Sequence, residues 1–212
     1  MARRPSLRSR SRRSPLARDP ALRLFAPNTP VLLVPGLHDS SPDHWQTLWQ
    51  RDNPAFVRVV QPDFATPALD RWAAVIACAI DAAGTPPIVV AHSFGCLATV
   101  RAVYLHRRPL AGALLVAPAD PDGFGVRSSL PSTRLPFPST LVGSTDDPWL
   151  KFVKAGALAS QWGSRFEGYA DVGHLNADSG LGAWPAGFAL LRDLAERAAS
   201  AGTLNAASRA AA

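Results

Sequence analysis

The chain has 212 residues, 47% of them hydrophobic and 18% charged, with two cysteines and a formal net charge of +6. That composition supports one packed core and excludes a disulfide-built scaffold, a collagen-like repeat and a chain too polar to fold. The positive charge says little about the body of the protein, because residues 1 to 24 hold eight arginines against Asp19 alone, while the rest holds 14 basic and 15 acidic residues.

Residues 1–24 are rich in arginine, serine and proline and cannot offset their ordering entropy by burial, so a disordered basic tail is expected there. No aromatic residue precedes Phe25 to stack on bases, and no apolar face suits a membrane surface. Specific nucleic-acid binding and membrane association are therefore not expected. The twin arginines lack the following apolar stretch of about seven or more residues that an export signal needs, which makes a cytoplasmic protein the simplest expectation.

One folded domain is expected over 25–198, followed by a flexible alanine-rich tail at 199–212. It opens with an apolar strand at 31–34 that runs into Pro35-Gly36-Leu37-His38. A helix follows at 43–51, with Asp43 as its natural N-cap and Trp45, Leu48 and Trp49 on its buried face. His38, Asp39, Asp43 and His44 lie close in sequence, but turn and cap chemistry accounts for them and no metal is expected. A strand at 57–60 and a helix at 68–83 come next.

The strand at 88–91 leads into Ala91-His92-Ser93-Phe94-Gly95 and then a helix at 94–107. This is the pattern of the nucleophile elbow of α/β-hydrolases, a strand-to-helix turn that lifts a serine hydroxyl clear of the sheet. Crowding in that turn demands small residues two before and two after the serine, and Ala91 and Gly95 are small. Cys78 and Cys96 fall within the helices on either side of this strand and are expected to pack as small apolar groups rather than pair.

After a strand at 112–116, the segment Ala117 to Pro138 carries five prolines and no amphipathic period, so it predicts a loop over the site instead of a helical lid. A strand at 139–142 then enters Ser144-Thr145-Asp146-Asp147-Pro148-Trp149, where two aspartates compete to be the acid of a triad. Asp147 is the choice, since it directly precedes the proline that opens the next helix at 149–161; Asp146 then caps the turn or that helix. The last strand, 165–169, precedes Asp171-Val172-Gly173-His174-Leu175-Asn176, in which Gly173 gives the backbone freedom to aim an imidazole. A helix at 184–199 closes the domain. The β-then-α rhythm predicts an α/β fold, a single-domain α/β-hydrolase with a mostly parallel sheet of about six strands, helices on both faces and no large lid.

Ser93, Asp147 and His174 appear in the chain order that α/β-hydrolases require of nucleophile, acid and base. The backbone amides of Phe94 and Leu37 are the expected oxyanion donors, and His38, Phe124, Trp149 and Trp184 the candidate pocket walls, although each tryptophan reads equally well as core. Taken together, Val34-Pro35-Gly36, Asp43-His44-Trp45, the elbow, Gly143 to Pro148 and Gly173 to Gly180 resemble the YdeN-like family of small serine hydrolases, which includes retinoblastoma-binding protein nine. The resemblance spans roughly residues 29 to 196. It implies a compact α/β-hydrolase with the triad Ser93, Asp147 and His174, no metal and no organic cofactor. The expected activity is that of a carboxylesterase-type serine hydrolase acting on a small or medium acyl ester, thioester or amide through an acyl-enzyme. The rival from another class is a protein-interaction module on a hydrolase scaffold. The partner is then a small-molecule acyl substrate; the sequence leaves the oligomeric state open.

Overall fold

Six strands lie side by side as one parallel sheet in the computed structural model, which describes residues 29–210, the side chains of 202–210 excepted. The basic tail expected at 1–24 lies outside the described residues. The strands are β1 (Val31–Val34), β2 (Phe56–Arg58), β3 (Ile88–His92), β4 (Gly112–Val116), β5 (Ser139–Ser144) and β6 (Arg165–Tyr169), in the spatial order β2-β1-β3-β4-β5-β6. Every neighbouring pair is parallel. Parallel strands need long crossovers, and four of the five helices supply them: α1 (Trp45–Asp52), α2 (Leu69–Ala82), α3 (Phe94–His106) and α4 (Phe152–Trp162), with α5 (Pro185–Ala210) after the last strand. The expected single-domain α/β-hydrolase architecture is the one observed.

Alternation along the strands splits the core into two layers. Leu32, Val34, Val89, Ala91, Leu115 and Leu141 face α2, α3 and α4, where they meet Trp72, Ile76, Leu97, Leu158 and Trp162. Val31, Leu33, Ile88, Val90, Leu114 and Val116 face α1 and α5 and pack on Trp45, Trp49, Phe188, Leu191 and Leu194. Because β1, β3 and β4 are covered on both sides, all their positions are buried, which is why their sequences read as continuous apolar runs.

Several boundaries depart from the sequence reading for identifiable reasons. The N-cap of α1 is His44, whose Nδ1 accepts from the Gln46 amide, and not Asp43, which is exposed. Helix α4 starts at Phe152 and not at 149, since the Asp147 carboxylate accepts from the Trp149 amide and holds that stretch in a turn. Strand β5 runs on to Ser144 because Gly143 and Ser144 stay paired with Gly168 and Tyr169. Helix α5 stays helical past 199 to Ala210, in keeping with the high helix propensity of alanine. Cys96 is buried as expected, but Cys78 is exposed, on the outer side of α2. No helix among the described residues is long and apolar enough to cross a membrane.

The chain passes from β1 outward to β2 and then returns to form β3 on the other side of β1. The loops after β1 and β3 therefore part company at adjacent strand ends, where Val34 lies opposite Ala91. Such a switch point opens a crevice beyond the carboxyl ends of the strands, the general location of ligand sites in sheets of this type.

Candidate active site

Ser93 occupies the turn between β3 and α3 with φ 53° and ψ −126°, a conformation that costs a non-glycine residue roughly 1–3 kcal/mol and persists only where the surroundings enforce it. The enforcement is visible. The Ser93 amide donates to Val116 O at 3.0 Å, and the Cys96 amide donates back to Ser93 O at 3.0 Å. A Cβ on Gly95 would collide with the carbonyl oxygens of Pro35 and Val34, and one on Gly36 would lie 2.7 Å from Ser93 Cβ. Gly95 is thus required by the end of β1, and Gly36 by the serine itself.

His174, on the loop after β6, brings Nε2 to 2.9 Å from Ser93 Oγ. Its Nδ1 lies 3.0 Å from both oxygens of Asp147, on the loop after β5. Both side chains are buried. A carboxylate can only accept, so Nδ1 carries the ring proton and Nε2 keeps a lone pair directed at the serine hydroxyl. The two competing aspartates separate cleanly: Asp146 turns away and accepts from Ser144 Oγ at 2.6 Å and from the Gly173 amide at 2.8 Å. Those two donors, the Ser144 hydroxyl foremost, hold its carboxyl below the usual carboxylate range. Instead of capping a helix, Asp146 ties the acid loop to the histidine loop.

Leu37, His38, Phe124 and Trp149 line a cleft of about 450 Å³ around Ser93 and His174. The amides of Leu37 and Phe94 find no acceptor among the described residues. Phe124 reaches the cleft from the irregular segment between β4 and β5, whose only helix is the short turn Arg127–Ser129, and Trp149 stands at the rim, 63% exposed, its ring 6.3 Å from that of His174. Trp184 is a correction. It is 3% exposed and packs in the core against Trp45, Trp49 and Tyr169, because it lies at the turn leading into α5, where its carbonyl accepts from the Phe188 amide at 3.1 Å and its ring joins Phe188 in the layer under that helix. Among the described residues no three His, Cys, Asp or Glu side chains converge as metal ligands would.

Two further histidines, His92 and His44, line the cleft; the sequence assigned neither to the site, reading His44 only as part of a polar turn and helix start. His92, next to the nucleophile, is buried on the α1 side, as the period of two already implies from Ile88 and Val90. His44 lies against it with ring centroids 4.9 Å apart. Burial first, then Arg58 and His174, lower the His44 pKa to about 3. A histidine depressed in the folded state leaves full stability above its unfolded pKa, near 6.5, and loses it as pH falls from there toward 3. His44→Asn, which keeps an N-cap acceptor, is therefore expected to lessen the stability drop between pH 7 and pH 5 by about 2 kcal/mol, read from urea midpoints at the two pH values. An unaltered drop would mean that His44 is charged in the folded protein.

A serine hydrolase family model matches residues 31–193. A YdeN-like hydrolase from Pectobacterium atrosepticum is 33% identical and superimposes with a TM-score of 0.81, covering 84% of this chain and 96% of that one. The ydeN gene product of B. subtilis, at 21% identity and a TM-score of 0.64, covers 78% of this chain and 98% of its own. An alpha/beta hydrolase fold protein from Burkholderia ambifaria, at 18% identity and 0.53, covers 72% and 86%. These last two share the fold. No curated protein matches the chain. Because the family match runs from the first core strand into the last helix and takes in Ser93, Asp147 and His174, the chain belongs to the serine hydrolase family, among the YdeN-like α/β-hydrolases.

Proposed function

We propose that the chain is a carboxylesterase-type serine hydrolase in which Ser93 is the nucleophile, His174 the general base and Asp147 the residue that orients it. The observation that carries this reading is the unbroken path from Ser93 Oγ to His174 Nε2, at 2.9 Å, and from His174 Nδ1 to the Asp147 carboxylate. His174 takes the hydroxyl proton as Ser93 Oγ attacks the acyl carbon, and Asp147 stabilises the imidazolium that results. The tetrahedral oxyanion accepts hydrogen bonds from the Leu37 and Phe94 amides, the second at the positive end of α3, and loss of one such donor typically costs about 10²–10³ in rate. Imidazolium then protonates the leaving oxygen, sulfur or nitrogen, leaving an acyl-serine. Water, deprotonated by the same imidazole, attacks that ester and releases the acid.

A small or medium acyl group suits the cleft, which has about 450 Å³ and apolar contacts from Leu37, Phe124 and the exposed face of Trp149. The path over it is a proline-rich loop that Lys154 and Arg127 pin through Asp120 and Asp122. A fluorophosphonate probe is expected to label the protein, and Ser93→Ala to abolish that labelling without changing the melting temperature. Labelling that survives the substitution, or fails in folded wild type, would favour the rival reading, an interaction module on a hydrolase scaffold.

A further inference from the structure

The loop that carries His174 is not a conformation the chain adopts freely, for the non-glycine residues Asp171 and Leu175 both have positive φ, 53° and 47°. On its outer side it is tethered by Asp146 and by Ser144 Oγ, which accepts from the Val172 amide at 3.1 Å. On its inner side, two consecutive carbonyls receive side-chain donors from distant parts of the chain. His92 Nε2 lies 2.9 Å from His174 O, and Trp45 Nε1 donates to Leu175 O at 2.7 Å. A carbonyl only accepts, so Nε2 carries the proton of a neutral His92 ring. Burial, above all, holds the pKa of that ring well below its ordinary value, so the donor is uncharged and does not oppose an imidazolium forming beside it. The His92 and His174 ring centroids are 4.9 Å apart.

We propose that His92 and Trp45 are paired positioning residues, a clamp on the main chain of residues 174 and 175 that sets the approach of the His174 imidazole to Ser93 Oγ. The proposal rests on the catalytic reading of Ser93 and His174. His92 is the last residue of β3 and directly precedes the nucleophile, so one strand end both leads into the attacking serine and grips the base loop with the His92 side chain. Trp45 opens α1 and is 1% exposed, so its indole is fixed by the core before it meets the loop. Hydrogen bonding between nucleophile and base tolerates little error, and a displacement of about 1 Å can cost on the order of 10² in rate.

Three substitutions separate positioning from mere packing. Trp45→Phe keeps an aromatic ring and removes the N–H; His92→Leu removes the donor at similar bulk; His92→Gln retains an N–H at similar reach. With a p-nitrophenyl acyl ester, Trp45→Phe and His92→Leu are expected to lower kcat by about 10- to 100-fold with KM nearly unchanged, and His92→Gln to recover most of that loss. Amide hydrogen exchange across residues 172–176 is expected to accelerate in the first two variants alone. Wild-type exchange and kcat in Trp45→Phe, or a His92→Gln no better than His92→Leu, would overturn the clamp. Exchange reports on the loop without turnover, so a failure of the catalytic reading shows separately, as an unlabelled Ser93 in wild type.

Discussion

Asp147→Asn is expected to lower kcat by about 10⁴-fold while KM changes little. The side chain keeps its shape, and its remaining oxygen can still accept from the Trp149 amide, so the acid loop should hold. What changes is the proton on the ring. Both carboxylate oxygens face Nδ1 at 3.0 Å; an amide NH2 placed there competes with the Nδ1 proton and favours the tautomer protonated on Nε2. That tautomer presents a donor to Ser93 Oγ where a lone pair is needed. The uncharged amide also removes the counter-charge for the imidazolium. Asp146→Asn supplies the internal control, since its Oδ1 remains able to accept from Ser144 Oγ and the Gly173 amide and it never touches the imidazole. Steady-state hydrolysis of one acyl ester by the two variants decides the assignment. If Asp146→Asn proved the crippled enzyme and Asp147→Asn the active one, the acid would have been misassigned.

The elbow and the partners of Ser93 were legible in the sequence because their causes are local or topological. Crowding at a strand-to-helix turn is written in Ala91 and Gly95, and the order of parallel strands brings the loops after β5 and β6 side by side, so an acid on one can meet a histidine on the other. Among the residues themselves, only Pro148 distinguishes Asp147 from Asp146, and the family resemblance points the same way. The structure separates them by direction, one carboxylate turned to the Gly173 amide and the other to the imidazole. Trp184 was not legible. Its neighbours Trp45, Trp49 and Tyr169 are distant in sequence, and nothing in a tryptophan before a proline distinguishes a cleft wall from a core residue. The N-cap was missed by one position, since Asp43 and His44 both carry an acceptor; the difference is that His44 also fills space beside His92, which only packing reveals.

Gly95→Ala and Gly36→Ala are expected to fail in different ways, and the contrast tests how the elbow works. At Gly95 the added carbon meets two main-chain oxygens, those of Pro35 and Val34, at the end of a strand buried on both faces. Neither can yield unless α3 moves off β1, so the cost is one of stability, about 3 kcal/mol or more, visible as a fall in the denaturation midpoint. At Gly36 the new carbon would sit 2.7 Å from Ser93 Cβ and 3.3 Å from Ser93 Oγ. The first loop borders the open cleft through Leu37 and His38, so it can back away and the fold survives. Backing away, however, carries the Leu37 amide off the position where an oxyanion would form. Loss of that donor lowers kcat by about 10²–10³ with the midpoint nearly unchanged. A Gly36→Ala enzyme that folds and turns over like wild type would show that the second oxyanion donor is not Leu37, and that the first loop serves only to cover the serine.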